Sequence, residues 1–359
     1  MLVAVGTCAL VGAACGGDDA KTADPAATVA PTTTTTTIPI DHTVYGDAVT
    51  QVVSLGGDPA KTDVPGPVFL SAHNDELWVG MHRTSSVIRV DATTGAIIKT
   101  ISIDPAPQST NLGKFESTGA ATGTGCVLAT DDAVWVLDLG GFVWRIDPKS
   151  NEIVARVEVP GLLAESGTAV GDGYLWFMTS TGYARIDTAT SKLAGRFPLA
   201  ATERVPGPSM TTTPGAVWTV AGAGIVRIDA RTGKVVTTIP IGGSPAGVDD
   251  GLVWGSDVDK VFAIDPATNA RVKLIPGPTN VNGLPDVTVA DGALWTVATP
   301  VDDADAFYKL ERFDLATQKW SDVDLINREF RFTIGLGIEN GTAWASDFGR
   351  GAVMRVPQN

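Results

Sequence analysis

The stretch of sequence that decides the fold is AVWTVAGAGIVRIDARTGKVVTTIPIGGSPAG, residues 216–247. It begins with an apolar strand centred on Trp218, continues through a second strand that ends at Asp229, and turns at Gly233 into an alternating strand. The aspartate carboxylate can accept backbone N–H bonds in the turn, and glycine tolerates the left-handed conformation that closes a hairpin. The segment therefore predicts three consecutive antiparallel strands.

The same unit recurs along the whole chain. An apolar or small residue followed by tryptophan and then by another small or apolar residue occurs seven times, at an average spacing of about forty residues, which is the period of a four-stranded propeller blade. These tryptophans are Trp78, Trp135, Trp176, Trp218, Trp254, Trp295 and Trp344. One blade cannot bury both of its faces alone, so neighbouring blades must stack around an axis. We therefore predict an all-β fold, a seven-bladed β-propeller with four-stranded antiparallel blades.

The last repeat indicates how the ring closes. It supplies only three strands, which end at Val356 with three residues of sequence left. The segment Val49–Leu55 alternates in the way that the other outer strands do. We predict that this N-terminal strand completes the last blade, because that pairing joins the two ends of the ring and removes an exposed sheet edge.

The repeat resembles those of the YVTN-type and virginiamycin B lyase-like (streptogramin lyase-like) seven-bladed propellers, and the resemblance covers about residues 45–356. It implies the same fold. For the lyases it also implies a magnesium-assisted, histidine-dependent elimination that uses histidine and glutamate from late blades. The only histidines are His42, His73 and His82. Since none follows His82, that catalytic set cannot be carried over to this chain.

The N-terminal region predicts export. Residues 2–14 are apolar and uncharged, too short to span a bilayer but of the right length for a signal-peptide core. Small residues before Cys15 and polar residues after it resemble a bacterial lipoprotein lipobox, in which Cys15 would carry the lipid. We predict a signal peptide over 1–15, a Thr/Pro/Ala-rich tether over 16–43 and the propeller over 44–359.

This organisation places the protein on the outer face of the bacterial cytoplasmic membrane, or in the medium if Cys15 is not lipidated. Acidic residues outnumber basic ones by 40 to 26, the net charge is −14, and no run of Lys or Arg occurs. A nucleic-acid ligand is therefore not expected, and membrane attachment requires the lipid anchor. Only Cys126 lies in the body, so no internal disulfide is available. We expect a monomer, with Cys126 as a small buried residue.

Residues repeated in every blade are interpreted as packing. The tryptophans occupy the same place in each repeat, whereas a binding site would break the symmetry, so they are expected between blades. The recurring Arg-x-Asp pairs, such as Arg227 and Asp229, are expected to cap turns and to pair neighbouring blades. A carbohydrate or quaternary-amine site on the tryptophans and a metal site on the Arg-x-Asp pairs are the alternatives.

Function is expected where the repeats differ, because propeller ligands meet the loops around the central channel. The candidate ligand-binding residues are His82, Arg83, Glu116, Asn282, Arg331, Asp347 and Arg350. Three carboxylates offer oxygen ligands for Ca²⁺ or Mg²⁺, although a solvated acidic loop is the simpler interpretation. They are Asp302, Asp303 and Asp305. No cofactor is expected to be required, and no catalytic residue is assigned.

Two functions remain open. The first is a non-catalytic recognition or scaffold module that binds a protein, peptide or envelope glycan at the cell surface. The alternative is a lyase or hydrolase, streptogramin lyase-like or otherwise dependent on carboxylates and a divalent ion, acting in the channel mouth. The scarcity of histidine and the lack of a G-x-S-x-G nucleophile motif favour the first.

Overall fold

The structure is a computed structural model that describes residues 37–56, 66–103, 123–200, 209–222, 224–279, 281–284, 287–301, 307–327 and 335–357. These residues form 28 β-strands in seven four-stranded antiparallel sheets. The predicted seven-bladed propeller is confirmed. No helix of the described residues is long and apolar enough to cross a membrane.

Each blade runs from an inner strand to an outer one, and β1 (Gln51–Ser54), although first in the chain, belongs to the last blade. Blade 1 contains β2 (Pro67–His73), β3 (Glu76–Met81), β4 (Ser86–Asp91) and β5 (Ile97–Ser102). Blade 2 contains β6 (Thr124–Thr130), β7 (Ala133–Asp138), β8 (Phe142–Asp147) and β9 (Glu152–Glu158). Blade 3 contains β10 (Thr168–Gly171), β11 (Tyr174–Thr179), β12 (Gly182–Asp187) and β13 (Lys192–Pro198).

Blade 4 contains β14 (Met210–Thr213), β15 (Ala216–Ala221), β16 (Gly224–Asp229) and β17 (Val235–Ile239). Blade 5 contains β18 (Ser244–Asp249), β19 (Leu252–Asp257), β20 (Lys260–Asp265) and β21 (Ala270–Pro276). Blade 6 contains β22 (Thr288–Ala290), β23 (Ala293–Ala298), β24 (Phe307–Asp314) and β25 (Lys319–Asn327). Blade 7 contains β26 (Leu336–Glu339), β27 (Thr342–Asp347), β28 (Ala352–Pro357) and, as its outer strand, β1.

The ring closes as the sequence predicts. The first strand of every blade contacts the first strand of the next, including β26 of blade 7 against β2 of blade 1. β1 pairs antiparallel with β28, in a register that sets Gln51 opposite Arg355 and Ser54 opposite Ala352. Val52 and Val53 of β1 are fully buried on opposite sides of the blade. One strand from the start of the chain therefore completes a blade built from its end.

The seven repeated tryptophans form the core between blades. Each lies on the second strand of its blade and is no more than 2% exposed. Each packs against apolar side chains of the following blade, as Trp78 does against Val134 of blade 2 and Trp344 does against Leu77 of blade 1. The packing interpretation is confirmed, because burial on this scale leaves no tryptophan face for a ligand.

A polar connection accompanies this core after each of blades 1 to 4. The arginine opposite the tryptophan places its guanidinium 5.1–5.6 Å from the centre of the indole ring. It then donates to the turn between the third and fourth strands of the next blade. The bonds run from Arg89 to Pro148 O, from Arg145 to Ser191 Oγ, from Arg185 to Arg231 O, and from Arg227 to Pro266 O, at 2.6, 3.3, 3.1 and 2.7 Å.

Blades 5 to 7 depart from that arrangement. In blade 5, Ala263 stands in the arginine position, and Lys273 of the outer strand lies 5.1 Å from the Trp254 ring instead. In blade 6, Arg312 donates to Asp314 of its own blade at 3.0 Å. In blade 7, the Arg355 side chain makes no hydrogen bond or ion pair with any other described residue.

The aspartates of the Arg-x-Asp pairs cap the turn that follows them. Asp229 Oδ1 accepts from the backbone N–H and the hydroxyl of Thr232, at 2.7 and 2.6 Å. These bonds favour the ionised form and hold the pKa of Asp229 below its usual value. The turns between first and second strands use the left-handed conformation, as at Asp172 and Gly173 with φ of 51° and 79°.

Residues 37–50 pack against the outside of blades 6 and 7. Ile38 donates its backbone N–H to Val52 of β1, and Gly46 donates to Leu325 of β25. Tyr45, between them, is 3% exposed. Thr37 also forms a bridge with β1, so contacts with the propeller reach several residues before the boundary predicted at residue 44.

Candidate functional site

The meander of each blade gives the ring two unlike faces. One face, here called the turn face, carries the short turns between first and second strands and between third and fourth strands. The other, here called the loop face, carries the links between second and third strands and the connections from one blade to the next. Because antiparallel strands alternate in direction, every such link falls on a fixed face.

Carboxylates join neighbouring turns on the turn face. Glu339 of blade 7 accepts from the backbone N–H groups of Asn74 and Asp75 in blade 1, at 2.6 and 2.9 Å. Asp131 of blade 2 accepts from the Asn74 side chain at 3.0 Å and lies 2.8 Å from His73 Nε2. These hydrogen bonds lower the pKa of Asp131. The polar groups of this face are thus used mainly to connect blades.

The five predicted ligand-binding residues that the structure describes all lie on the loop face. They are His82, Arg83, Asn282, Asp347 and Arg350. The other two, Glu116 and Arg331, lie outside the described residues, as do Asp302, Asp303, Asp305 and Cys15. Ligand binding by these residues stays a prediction. The structure shows only that the five described residues lie on the same face.

A polar strip crosses the loop face over blades 7, 1 and 2. The Arg83 guanidinium lies 5.1 Å from the centre of the Phe348 ring, which links blade 1 to blade 7. His82 Nδ1 lies 3.6 Å from Glu165 Oε1, in the connection that follows blade 2. No sequence motif relates Glu165 to His82, so this neighbour escapes prediction from sequence. At this distance the pair forms an ion pair only when His82 is protonated.

Asp347 and Arg350 belong to a buried network. The Tyr45 hydroxyl donates to Asp347 Oδ2 at 2.7 Å, and the Arg350 backbone N–H donates to Asp347 Oδ1 at 3.0 Å. Asp347 is fully buried, and its loss of water raises the pKa of the carboxyl despite these bonds. Burial and the neighbouring Asp347 also raise the pKa of Tyr45. The network fastens residues 37–50 to blade 7, and a ligand of Asp347 would have to displace Tyr45.

Asp138 of blade 2 occupies the same position as Asp347, at the end of the second strand. It accepts from the Trp144 indole N–H and, at 3.0 Å, from the Phe142 backbone N–H. It is 7% exposed, and burial raises the pKa of its carboxyl. Both carboxylates at these strand ends therefore hold local structure together.

The loops of blades 5 and 6 present apolar tips beside Asn282. The Asn282 backbone N–H donates to Thr299 at 2.8 Å, which ties the connection after blade 5 to the loop of blade 6. Val258 and Val301, one in each loop, are 73% and 52% exposed. Other exposed aliphatic side chains, such as Val236 and Val272, lie on the outer strands. These two valines, here called the valine tips, both lie on the face where the blades differ.

A separate carboxyl is buried within blade 6. Glu311 is 1% exposed, and its Oε1 has no hydrogen-bond partner among the described residues. It lies on the same side of β24 as Phe313, which packs against Trp254 of blade 5. Burial, reinforced by the charge of Asp322, raises the pKa of Glu311 to about 7, although Lys309 acts in the opposite direction.

No catalytic arrangement emerges from the histidines. His73 lies at the turn-face end of β2, His82 lies on the loop face, and His42 lies 3.4 Å from Asp47 in the N-terminal segment. Among the described residues, no group of three or more His, Cys, Asp or Glu side chains is arranged to hold a metal ion. Cys126 is buried as expected, and its thiol donates to Ser166 O at 3.0 Å.

Comparison with known proteins supports the fold alone. No protein-family model and no curated protein matches the chain. Among solved structures, a streptogramin B lyase is similar with a TM-score of 0.59 and 16% identity, over 83% of this chain and 95% of the lyase. BamB from Moraxella catarrhalis gives 0.52 and 16%, over 90% and 99% of the two chains. A chain of the mitotic checkpoint complex gives 0.62 and 11%, over 86% and 94%. The chain is thus a β-propeller.

Proposed function

We propose that the protein is a non-catalytic recognition module of the cell envelope, which binds a protein or peptide through its loop face. The observation that carries the proposal is the exposure of the valine tips, Val258 at 73% and Val301 at 52%, on that face. Apolar side chains that stay exposed in the loops of a propeller are available to a partner that meets those loops.

The contrast with the turn face supports this choice. There the carboxylates of Glu339 and Asp131 are engaged with the neighbouring blade. On the loop face, Glu165 is more than half exposed, and His82 retains a partly exposed ring. One of the structurally similar chains comes from a multiprotein assembly, the mitotic checkpoint complex. A propeller that presents its variable loops to a partner is in keeping with these features.

The site of action proposed for the module is outside the cell. A signal peptide over 1–15, a lipid on Cys15 and the Thr-rich tether would hold it at the outer face of the bacterial cytoplasmic membrane. Expression of the full chain with radiolabelled palmitate tests this part. Label should enter the wild-type chain and not Cys15→Ala, and an unlabelled, soluble wild-type chain would contradict the anchor.

The loop-face proposal is tested with peptides selected from a displayed library on the purified full-length chain. Affinity is then measured for a double variant of the valine tips, Val258→Asp with Val301→Asp. The expected loss is at least about tenfold, since apolar anchors at an interface each contribute about 1 kcal/mol or more. The matched control, Val236→Asp with Val272→Asp, alters valines of similar exposure on the outer wall and should bind as the wild type does.

Equal losses in both double variants would contradict binding through the loop face. If the library yields no binding peptide and the chain binds glycans on an array, the ligand belongs to the other class expected from the sequence. If Ca²⁺ or Mg²⁺ alone raises the melting temperature, and Asp302→Asn with Asp305→Asn removes that effect, the ion-dependent enzyme becomes the better hypothesis, because a ligand of the native state stabilises it by mass action.

A further inference from the structure

A small cavity opens on the turn face between blade 7 and blade 1. Its volume is about 170 Å³, below the roughly 300–1,000 Å³ of pockets for drug-sized ligands but several times the roughly 30 Å³ that one water occupies. Both blades contribute to its lining, which combines charged side chains with small ones. They include Arg355, Glu339, Asp75, Trp344, Ala72 and Ala92.

The cavity lies where an arginine would otherwise meet the next blade. After blades 1 to 4, the equivalent arginines donate through Nη1 or Nη2 to the turn between the third and fourth strands of the following blade. For Arg355 that turn is the one at Ala92 and Thr93, which instead line the opposite side of the cavity. The Arg355 guanidinium is left without a hydrogen-bond or ion-pair partner among the described residues.

A second donor in the cavity wall is unpaired. Trp344 is 1% exposed, and its indole Nε1 has no hydrogen-bond partner in the part of the chain that the structure describes. The equivalent Trp218 and Trp295 donate to Thr213 Oγ1 at 2.9 Å and to Ala290 O at 3.0 Å, whereas the indoles of Trp176 and Trp254 also have no partner among the described residues, so an unpaired indole is not particular to the cavity. A buried donor left without an acceptor costs about 1–3 kcal/mol. An acceptor group in the cavity would supply a partner for the Arg355 guanidinium.

The other charged side chains of the cavity restrict which kind of ligand can carry that acceptor group. Glu339 and Asp75 line the same space, and neither carboxylate lies within ion-pair distance of Arg355. A phosphate or sulfate would place a multiple negative charge beside two carboxylates, which is unfavourable at low dielectric. Glu339 and Asp75 already accept hydrogen bonds from neighbouring turns but have further lone pairs for a donor, whereas a neutral ligand would leave Arg355 without a counter-charge. A small zwitterion matches both signs.

We propose that this cavity binds a free amino acid, whose carboxylate pairs with Arg355 and whose ammonium group is held by Glu339 and Asp75. The planar guanidinium is suited to a carboxylate in two-point contact. The volume admits an amino acid with a small side chain, which would lie against Ala72 and Ala92. The site is on the face opposite the valine tips, so it stands apart from the proposed partner surface.

Isothermal titration calorimetry of the full-length chain with glycine, L-alanine and L-serine tests the proposal. L-alanine is expected to bind, and propionate and ethylamine, which each carry only one of its charges, should bind at least about tenfold more weakly. Arg355→Gln should weaken L-alanine by at least about tenfold. Ala92→Leu, which fills the cavity but keeps every charge, should do the same.

Arg227→Gln is the matched control, because it alters the same position of blade 4, where the arginine is already bonded to blade 5. Arg227→Gln should lower the melting temperature and leave L-alanine binding unchanged. Arg355→Gln should weaken L-alanine binding and leave the melting temperature unchanged. The proposal is overturned if none of the amino acids binds at millimolar concentration, which would leave water as the occupant. It is also overturned if propionate binds as well as L-alanine, or if Arg355→Gln binds like the wild type.

Discussion

Blades 1 to 4 and blades 5 to 7 share the tryptophan core but connect to their neighbours in different ways. After each of blades 1 to 4, an arginine stacked on the tryptophan donates to the next blade. In blades 5 to 7 the same position holds Ala263, an arginine bonded within its own blade, or Arg355 with no partner among the described residues. The apolar repeat is thus sufficient to set blade geometry, and its polar connection can be released without loss of the fold.

Several irregular features of the described residues lie in blades 5 to 7, although the polar strip of the loop face also crosses blades 1 and 2. The N-terminal segment, the buried Glu311, the valine tips and the cavity at Arg355 all belong to blades 5 to 7 or their junctions. Substitutions in the two sets of blades should therefore differ in their effects, most of all at the strand that closes the ring.

The closing strand provides the strongest test. Replacing both buried valines of β1, Val52→Asp with Val53→Asp, would bury two charges without partners, at a cost of several kcal/mol each. We expect no cooperative unfolding transition in urea followed by tryptophan fluorescence. The matched change in the outer strand of blade 4, Val235→Asp with Val236→Asp, alters side chains that are 43% and 56% exposed and should leave the transition nearly unchanged. Similar losses would mean that blade 7 is no more dependent on its outer strand than blade 4.

Glu311 predicts a pH dependence that originates in blade 6. Its folded-state pKa, raised to about 7 from 4.5, means that the stability it contributes is complete below about pH 4.5 and is lost as the pH rises through about 7. The total is on the order of 3 kcal/mol, at about 1.4 kcal/mol for each unit. Glu311→Gln should remove this loss, so that urea unfolding shows a more stable variant at about pH 8 than the wild type.

The control for Glu311 is Glu158→Gln, at an exposed position of the outer strand of blade 2. It should follow the pH dependence of the wild type. If the wild type and Glu311→Gln lose the same free energy of unfolding between about pH 5 and about pH 8, Glu311 is not the group responsible.

The anchor of the N-terminal segment should have a smaller effect. Tyr45→Phe removes the donor to the buried Asp347 and should lower the free energy of unfolding by about 2 kcal/mol, the cost of a lost hydrogen bond to a charged group. Tyr308→Phe is the control, since Tyr308 packs against the same cluster and its hydroxyl bonds no described residue. Equal melting temperatures for the two variants would show that the hydroxyl of Tyr45 contributes nothing to the anchor.

The smallest expected effect is a difference in stability between two arginine variants, one at a residue bonded to the next blade and one at a residue bonded within its own blade. Arg227→Gln loses bonds to Pro266 and Asn269 of the next blade and should cost about 1–2 kcal/mol. Arg312→Gln loses a partly exposed pair with Asp314 and should cost less than about 1 kcal/mol. Thermal melts in low salt measure the difference. A larger loss for Arg312→Gln would reverse the distinction between regular and irregular junctions.

The sequence was informative about the parts that repeat. The tryptophan spacing, the Arg-x-Asp turns and the alternation of residues 49–55 predicted the blade, its number and the closing strand, because each is a local pattern that strand geometry fixes. His82, Arg83, Asn282, Asp347 and Arg350 could be assigned to a common face for the same reason. The sequence did not predict a chemical role for any of them, because such a role depends on which side chains lie nearby in the folded protein.

The partners of these residues come from distant parts of the chain. Tyr45 and Asp347 are 302 residues apart, and Arg355 meets its cavity wall at Ala92. The lack of a described partner for Arg355 could not be predicted from Pro357, which replaces the usual aspartate, because the partner of each such arginine lies in the next blade. The burial of Glu311 could have been predicted, since it directly precedes Arg312 and that place holds a buried apolar residue in the other repeats, such as Val226 and Met354.

The pairing of β1 with β28 also determines the order of events during synthesis. β1 leaves the ribosome before the other strands of the ring, and its partner β28, some three hundred residues later, is among the last. Until then Val52 and Val53 have no blade to enter, and blades 1 to 6 form an open arc with an exposed edge. Contacts of such long sequence separation slow folding, because a long loop must close before they contribute. The nascent chain therefore carries an unpaired apolar strand for most of its translation, which makes β1 a natural segment for a chaperone to cover.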